Sequence, residues 1–325
     1  MASTNNSESQ DTDVLLIAFP GPEDMQHMLF VLFFVLFMVA SFSNVTVLLI
    51  IATVKSLHEP MYCFMAFLSV VDLLLVLILL PEMLVLLWSG QQFIQLDVCL
   101  SQMFLISVLA GMESTMLVLM AFDRYTAVCN PLRYSTIVTK TFIFKGCLVV
   151  IVRSVCIVMP LLVLAKLLPY CNTSIVNNVY CDYISVINAA CAQTIISRLY
   201  PLLTLIIGII PDIFLIGLSY YMIVKAIINL KSTEARQKAF STCSSHIFLI
   251  LTFYLSFTMT ILTSLYENKV PAYVPVLISA LYITVPPTLN PLIYGIKTKD
   301  IRQEIIRHVR KCGKISQGDM QRVLF

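Results

Sequence analysis

Charge is what this sequence has least of: 12% of its 325 residues are Asp, Glu, Lys or Arg, where soluble domains carry about 25%. With 59% hydrophobic residues and only nine glycines, there is too little polar surface to cover a sphere of this size. A water-soluble globule is excluded, and the apolar excess faces lipid. A net charge of +3, from 21 basic and 18 acidic residues, offers no basic field for nucleic acid. Missing too are the repeated alternating segments of a membrane β-barrel, the internal repeat of a transporter built from two related halves, and any nucleophile and base constellation of an intramembrane hydrolase. Residues 1–25 hold five acids and no Lys or Arg. They therefore lack the basic start of a cleavable signal peptide, and the first apolar span is expected to act as an uncleaved insertion signal.

What is present is apolar length. Seven stretches reach the roughly 20 residues that a helix needs to cross a bilayer: Met28–Val54, Met61–Ser89, Val98–Val128, Thr141–Ala165, Leu199–Val224, Ala239–Tyr266 and Val270–Ile296. Cations fix the expected orientation. One set of connecting segments carries Lys55, Arg124, Arg133, Lys140, Lys145, Lys225, Lys231, Arg236, Lys238 and the eight Lys or Arg of the carboxyl-terminal region, whereas the other carries only Lys166, Arg198 and Lys269. Positive charge marks the cytoplasmic side, so the amino terminus is expected outside and the carboxyl terminus inside. After Ile296, Ile301, Ile305, Ile306 and Val309 recur at helical spacing among basic residues, as in a short helix on the inner leaflet. The expected fold is an all-α membrane protein, a seven-helix bundle at 26–296 between an extracellular tail at 1–25 and an amphipathic eighth helix with cytoplasmic tail at 297–325.

Of ten cysteines, Cys99, Cys171, Cys181 and Cys191 fall in the oxidising layer, and four cysteines allow three pairings. A bond from Cys99 to the loop after helix four would fold that loop over the mouth of the bundle. Cys312 is a palmitoylation candidate. Acceptor triplets for glycosylation at Asn5 and Asn172 are reachable, while the one at Asn44 lies inside helix one.

Charges inside a membrane need a reason, since each costs at least about 2.5–3.5 kcal/mol at mid-depth. Asp72 and Glu113 fall midway along helices two and three, where two carboxylates at close range require a cation or a proton between them. Either solution fits the sequence. Asp123-Arg124-Tyr125 closes helix three with an acid and a base that can neutralise each other, and an Arg there can exchange partners. Arg153 and Asp212 have no partner legible in the sequence, and protonation is the expectation for Asp212. Prolines at Pro286-Pro287 and Asn290-Pro291 weaken helix seven locally, as a kink or a hinge.

These residues coincide with a family pattern. Met120-Ala-Phe-Asp-Arg-Tyr-Thr-Ala-Val-Cys-Asn-Pro-Leu-Arg-Tyr134 closely resembles the MAYDRYVAICNPLxY signature of vertebrate olfactory receptors, in the rhodopsin-like class of G-protein-coupled receptors. Leu57–Tyr62 resembles the family's LHxPMY, Ser69–Leu73 its LSxxDL, Lys238–His246 its KAFSTCxSH, and Pro286–Tyr294 its PPxLNPxIY, all in the right order. His58-Glu59, Met112-Glu113-Ser114 and Lys297-Thr298-Lys299 look more like the fish-like class of these receptors. One departure is Ser43, where the family usually has Gly before Asn44.

The resemblance implies a function and its residues. It favours the disulfides Cys99–Cys181 and Cys171–Cys191, the second resting mostly on the family's doubly bridged loop. It implies an odorant cavity lined by Ile106, Ser107, Ala110, Gly111, Thr204, Tyr254, Phe257, Thr258, Ile261, Leu265 and Tyr183, apolar with a few hydroxyls, suited to a small weakly polar organic molecule. Thr284 stands where retinal would need a lysine, Ile106 where amine receptors carry an aspartate, and Leu265 where some acid-binding relatives carry an arginine. Coupling to a stimulatory G protein would run through Asp123, Arg124, Tyr125, Tyr220, His246, Asn290, Pro291 and Tyr294. Asp123 is the expected resting partner of Arg124, since Arg236 stands where an acid at the base of helix six would be needed. A sodium ion between Asp72 and Glu113 would have Asn44, Ser69, Ser114 and Asn290 as oxygen donors or outer partners. The rival from another class is a transporter or channel using Asp72, Glu113 and Asp212.

Overall fold

The computed structural model describes residues 13–17, 23–171, 174–229, 232–265, 269–298 and 300–307. Within them, seven helices are long and apolar enough to cross a membrane. Helix one is Glu23–Thr53, two Pro60–Ser89, three Leu96–Cys129, four Lys140–Lys166, six Thr233–Leu265 and seven Tyr273–Lys297. Helix five is a rod in three pieces, an α-helix over Ile195–Thr204, a π-helical turn over Leu205–Ile209 and an α-helix over Ile210–Ile228. Helices one, five and six begin a turn or more before the apolar spans, because polar first turns such as Thr233-Glu234-Ala235-Arg236 are good helix formers that a search for apolarity passes over.

Local signals set the ends. Pro60 opens helix two in its first turn, where a missing N–H costs nothing, and Gly90 closes it with φ 78°, a left-handed conformation that suits glycine. Thr139 and Thr194 cap helices four and five by accepting from Phe142 N and Ser197 N. Ser43 turns its hydroxyl onto its own helix, at 2.6 Å from the Val39 carbonyl, so the departure from glycine adds no unpaired donor.

The disulfide-bonded end carries a small sheet, an addition to the all-α expectation. Strand β1 (Asp13–Ile17) lies between β2 (Gln91–Gln95) and β3 (Ser174–Val176), antiparallel to the first and parallel to the second. Its Val14 and Leu16 point inward and are buried, alternating as a half-buried strand requires. Part of the expected tail is thus structure. The bonds Cys99–Cys181 and Cys171–Cys191 both form, with Cα atoms 5.4 and 6.0 Å apart. Beyond Cys181, Asp182 caps a short helix, Tyr183–Ala189, by accepting from Ile184 N and Ser185 N.

Residues 300–307 are helical. Ile301 is fully buried against the bundle, Ile305 packs on Gly295, Ile306 is exposed, and Tyr62 of helix two donates to Asp300 at 2.8 Å. Val309 and Cys312 lie outside the described residues, as do Asn5 and Asn172.

Candidate functional site

Helix seven supplies the first half of the site through a missing hydrogen. Pro291 has no N–H for the Pro287 carbonyl one turn back. Asn44 of helix one takes that carbonyl instead, its Nδ2 donating at 2.9 Å. Asn290, beside the proline, donates Nδ2 to Asp72 Oδ2 at 3.0 Å and to Glu113 Oε1 at 3.1 Å. One amide thus joins helices two, three and seven, and all three side chains are buried. Asn44 Oδ1 and Ser69 Oγ are also buried, with no hydrogen-bond partner among the described residues. Ser69 is one turn from Asp72 and Asn44 is bonded one turn from Asn290. Two carboxyls and two orphaned oxygens are all hard oxygen donors, the donor chemistry that suits a small hard cation.

Ser114 does not join that set. Its hydroxyl donates to Asp212 Oδ2 at 2.8 Å and lies 3.1 Å from the Tyr254 hydroxyl. Asp212 and Arg153, without a legible partner in the sequence, hold each other. Arg153 Nη2 lies 2.9 Å from Asp212 Oδ1 and Nη1 lies 3.1 Å from Oδ2, the two-pronged geometry a guanidinium offers a carboxylate. Arg153 also donates to Thr115 Oγ1 and to the Gly208 carbonyl, the latter at 2.8 Å. That carbonyl is presented by the π-helical turn, just before Pro211. The expectation of a partnerless, protonated Asp212 gives way to an ion pair in which the carboxylate is buried and the guanidinium half-buried. This second cluster joins helices three, four, five and six.

The residues expected around a ligand divide. Ile106 is buried below the bridged loop, and Phe257 packs on Tyr282, ring centroids 5.8 Å apart, an aromatic of helix seven that the sequence reading missed. Tyr254 belongs to the second cluster. Tyr183 is buried in the loop, donating to the Ser197 carbonyl at 2.9 Å, and burial with Tyr200 nearby pushes its phenol up to about 12, so it remains a donor. Ser107, Ala110 and Ile261 are half-buried, and the Thr204 hydroxyl is turned back to the Pro201 carbonyl. Two placements correct the expectation. Gly111 faces helix four, where a Cβ would stand 3.3 Å from Ser154 Oγ, because close helix packing needs a small residue there. Thr258 is exposed on the outward stripe with Leu251, Leu255, Met259 and Leu262, its hydroxyl satisfied by the Tyr254 carbonyl. The Leu265 side chain lies outside what is described.

At the opposite end Arg124 folds back on Asp123, its Nε donating at 3.0 Å with a second, shorter contact from Nη2. Tyr134 donates to the other Asp123 oxygen at 2.7 Å. Burial first, then the Asp123 carboxylate, pushes the Tyr134 phenol above its ordinary value, which keeps the proton on it. Tyr220 and His246 pair with each other, phenol oxygen to Nδ1 at 2.8 Å, and Tyr125 packs nearby. A crevice here is lined by Met65, Met120, Asp123, Arg124, Ser245, His246, Leu249 and Tyr294. The Tyr294 hydroxyl and His246 Nε2 are buried beside it without hydrogen-bond partners among the described residues.

The family model for olfactory receptors matches residues 33–311 of this chain. The chain belongs to the olfactory receptor family. Among curated relatives, this receptor is 40% identical to olfactory receptor 51E1 of Homo sapiens over 94% of its own length and 96% of the relative's. It is 37% identical to olfactory receptor 52N2 of Homo sapiens, over 94% and 96% of the two chains. Squid rhodopsin shares the fold, with a TM-score of 0.74 at 18% identity over 91% of each chain. The receptor is therefore an odorant receptor of the rhodopsin-like fold, a multi-pass protein of the plasma membrane that takes a small-molecule ligand and a G protein as partners, and it is not an enzyme. A transporter or channel is not favoured, and Asp212, one of its three proposed carboxylates, is engaged by Arg153.

Proposed function

We propose that the receptor binds a small organic ligand between helices three, five, six and seven beneath the bridged loop, and that binding presents Arg124, the segment Cys129–Tyr134 and the start of helix six to a stimulatory G protein, raising cyclic AMP. The carrying observation is the state of Arg124. It is held by its own neighbour Asp123 in a crevice whose helix-six wall is Ser245, His246 and Leu249, while Arg236 occupies the position from which an acid would hold it more firmly. A lock made within helix three alone leaves helix six, among the described residues, free of an ionic tie to Arg124, which suits a switch biased by modest ligand energies. The charge distribution supports an extracellular amino terminus and a cytoplasmic carboxyl terminus.

Asp72, Glu113 and Asn290, with Asn44 and Ser69 near them, would hold a sodium ion, which when bound supplies the positive charge that two buried carboxyls lack. If closing the bundle on ligand breaks this arrangement, sodium opposes the ligand by linkage. Agonist potency is expected to be weaker in sodium than in a bulky organic cation at equal ionic strength, and this difference should vanish in Glu113→Gln. Identical potencies in both salts would leave a shared proton as the reading.

The test of the function is a broad odorant panel on surface-labelled transfected cells. The expected outcome is ligand-dependent cyclic AMP in the wild type without ion or solute flux, and none in Arg124→Ala at equal surface level. Flux without nucleotide signalling would overturn the proposal.

A further inference from the structure

A third polar contact sits at the disulfide-bonded end, outside both clusters. Gln102 of helix three donates Nε2 to Glu82 Oε2 of helix two at 2.6 Å and accepts, through Oε1, from the Cys181 N–H at 2.9 Å. The amide's orientation is fixed by its partners, since a backbone N–H can only donate and a carboxylate accepts. Cys181 is bonded to Cys99 one turn before Gln102, and Ile106 lies one turn after it. Cys99, Gln102 and Ile106 therefore share a face of helix three under the bridged loop. Glu82 is brought to the top of that face.

The carboxylate is half-buried, and no Lys, Arg or His pairs with it among the described residues. Its Oε1 makes no hydrogen bond there either, and Gln102 is neutral. A carboxylate drawn out of water attracts a cation or a strong donor. Ile106 removed the usual place for an amine's counter-ion in the sequence reading, but Glu82 restores an anion on the neighbouring helix, directly below the loop.

We infer that Glu82 is a specificity-determining residue that selects ligands carrying a protonated amine, the ammonium sitting on the free carboxylate edge and the alkyl body on Ile106. This rests on the odorant-cavity reading above and narrows its ligand class. Primary alkylamines are protonated at neutral pH, as lysine is. A charge-assisted hydrogen bond shifts potency by about tenfold or more.

The experiment titrates a series of primary alkylamines, with matched alcohols and carboxylic acids, on cells bearing the full chain, Glu82→Gln or Glu82→Lys at matched surface level, reading cyclic AMP. The wild type should answer amines at concentrations about tenfold below the matched alcohols. Glu82→Gln should lose that advantage and keep the alcohol response, and Glu82→Lys should reject amines and gain acids. If Glu82→Gln fails to reach the surface, Glu82→Asp, which draws the same charge back, must weaken amines more than alcohols. Amines no better than alcohols in the wild type, or an unchanged amine titration in Glu82→Gln, overturns the inference. A response confined to uncharged odorants does so while odorant reception stands, and silence toward every ligand in a broad panel overturns both.

Discussion

Helices two, three and seven and helices five and six are built differently. In the most apolar stretch of the first three, 56% of residues are buried within the protein, against 17% in five and six. Lipid gives no hydrophobic reward for helix contact, so this difference in packing is a difference in how firmly each helix is held. The polar clusters follow the same division. Glu113 and Ser114 are neighbours on helix three, about 100° apart around its axis, and they reach to opposite sides: Glu113 through Asn290 to Asp72 and helix seven, Ser114 to Asp212, Arg153 and Tyr254 on helices five, four and six. One side is a packed frame. The other is thinly packed and depends on a few polar contacts, as a part that must move would.

The largest expected effect is at the mouth, which ties the two sides together. Cys99→Ser or Cys181→Ser releases the loop that also carries β3, and surface labelling should fall to background, while Cys312→Ser should not change it. Normal surface level and response of Cys99→Ser would break the assignment. Next comes the mobile side. Asp212→Leu leaves Arg153 inside the membrane without its carboxylate, a loss of roughly 3 kcal/mol, and should lower surface level severely. The double change Arg153→Met with Asp212→Leu should recover much of it, because the uncompensated charge is gone. Equal loss in single and double variants would mean that the pair is not what joins helices four and five. The smallest effect is expected at Thr258→Val, which faces outward and should leave agonist potency unchanged. A shift in potency there would move helix six's inner face.

How much of this was legible in the sequence follows the same physics. Apolar length alone gave all seven spans, and the Asp123-Arg124-Tyr125 and Asn290-Pro291 motifs gave the residues that the structure gathers at the centre and the far end. Asp13–Ile17 reads in sequence as four apolar residues after an acid, too short a run to mark a strand, and its alternation of buried and more exposed positions exists only once β2 and β3 pair with it. Arg153 and Asp212 lie on different helices, and their pairing is set by how helices four and five pack around the π-helical turn ahead of Asp212, which no motif announces. Glu82 read as part of an apolar span, since its meaning comes from Gln102 and the loop above. Thr258 and Gly111 occupy positions that the family resemblance alone links to a cavity, and the rotation of each helix decides which face they take.

The division between frame and mobile side is tested most directly by distances measured across the Asp123-Arg124 end. Spectroscopic labels are placed through unnatural amino acids at exposed Lys55, Arg236 and Arg307, and pulsed spin resonance is recorded with and without agonist. The distance from Lys55 to Arg236 on helix six is expected to lengthen with agonist while that from Lys55 to Arg307, beyond helix seven, stays the same. Equal changes in both distances, or none in either, would contradict that division.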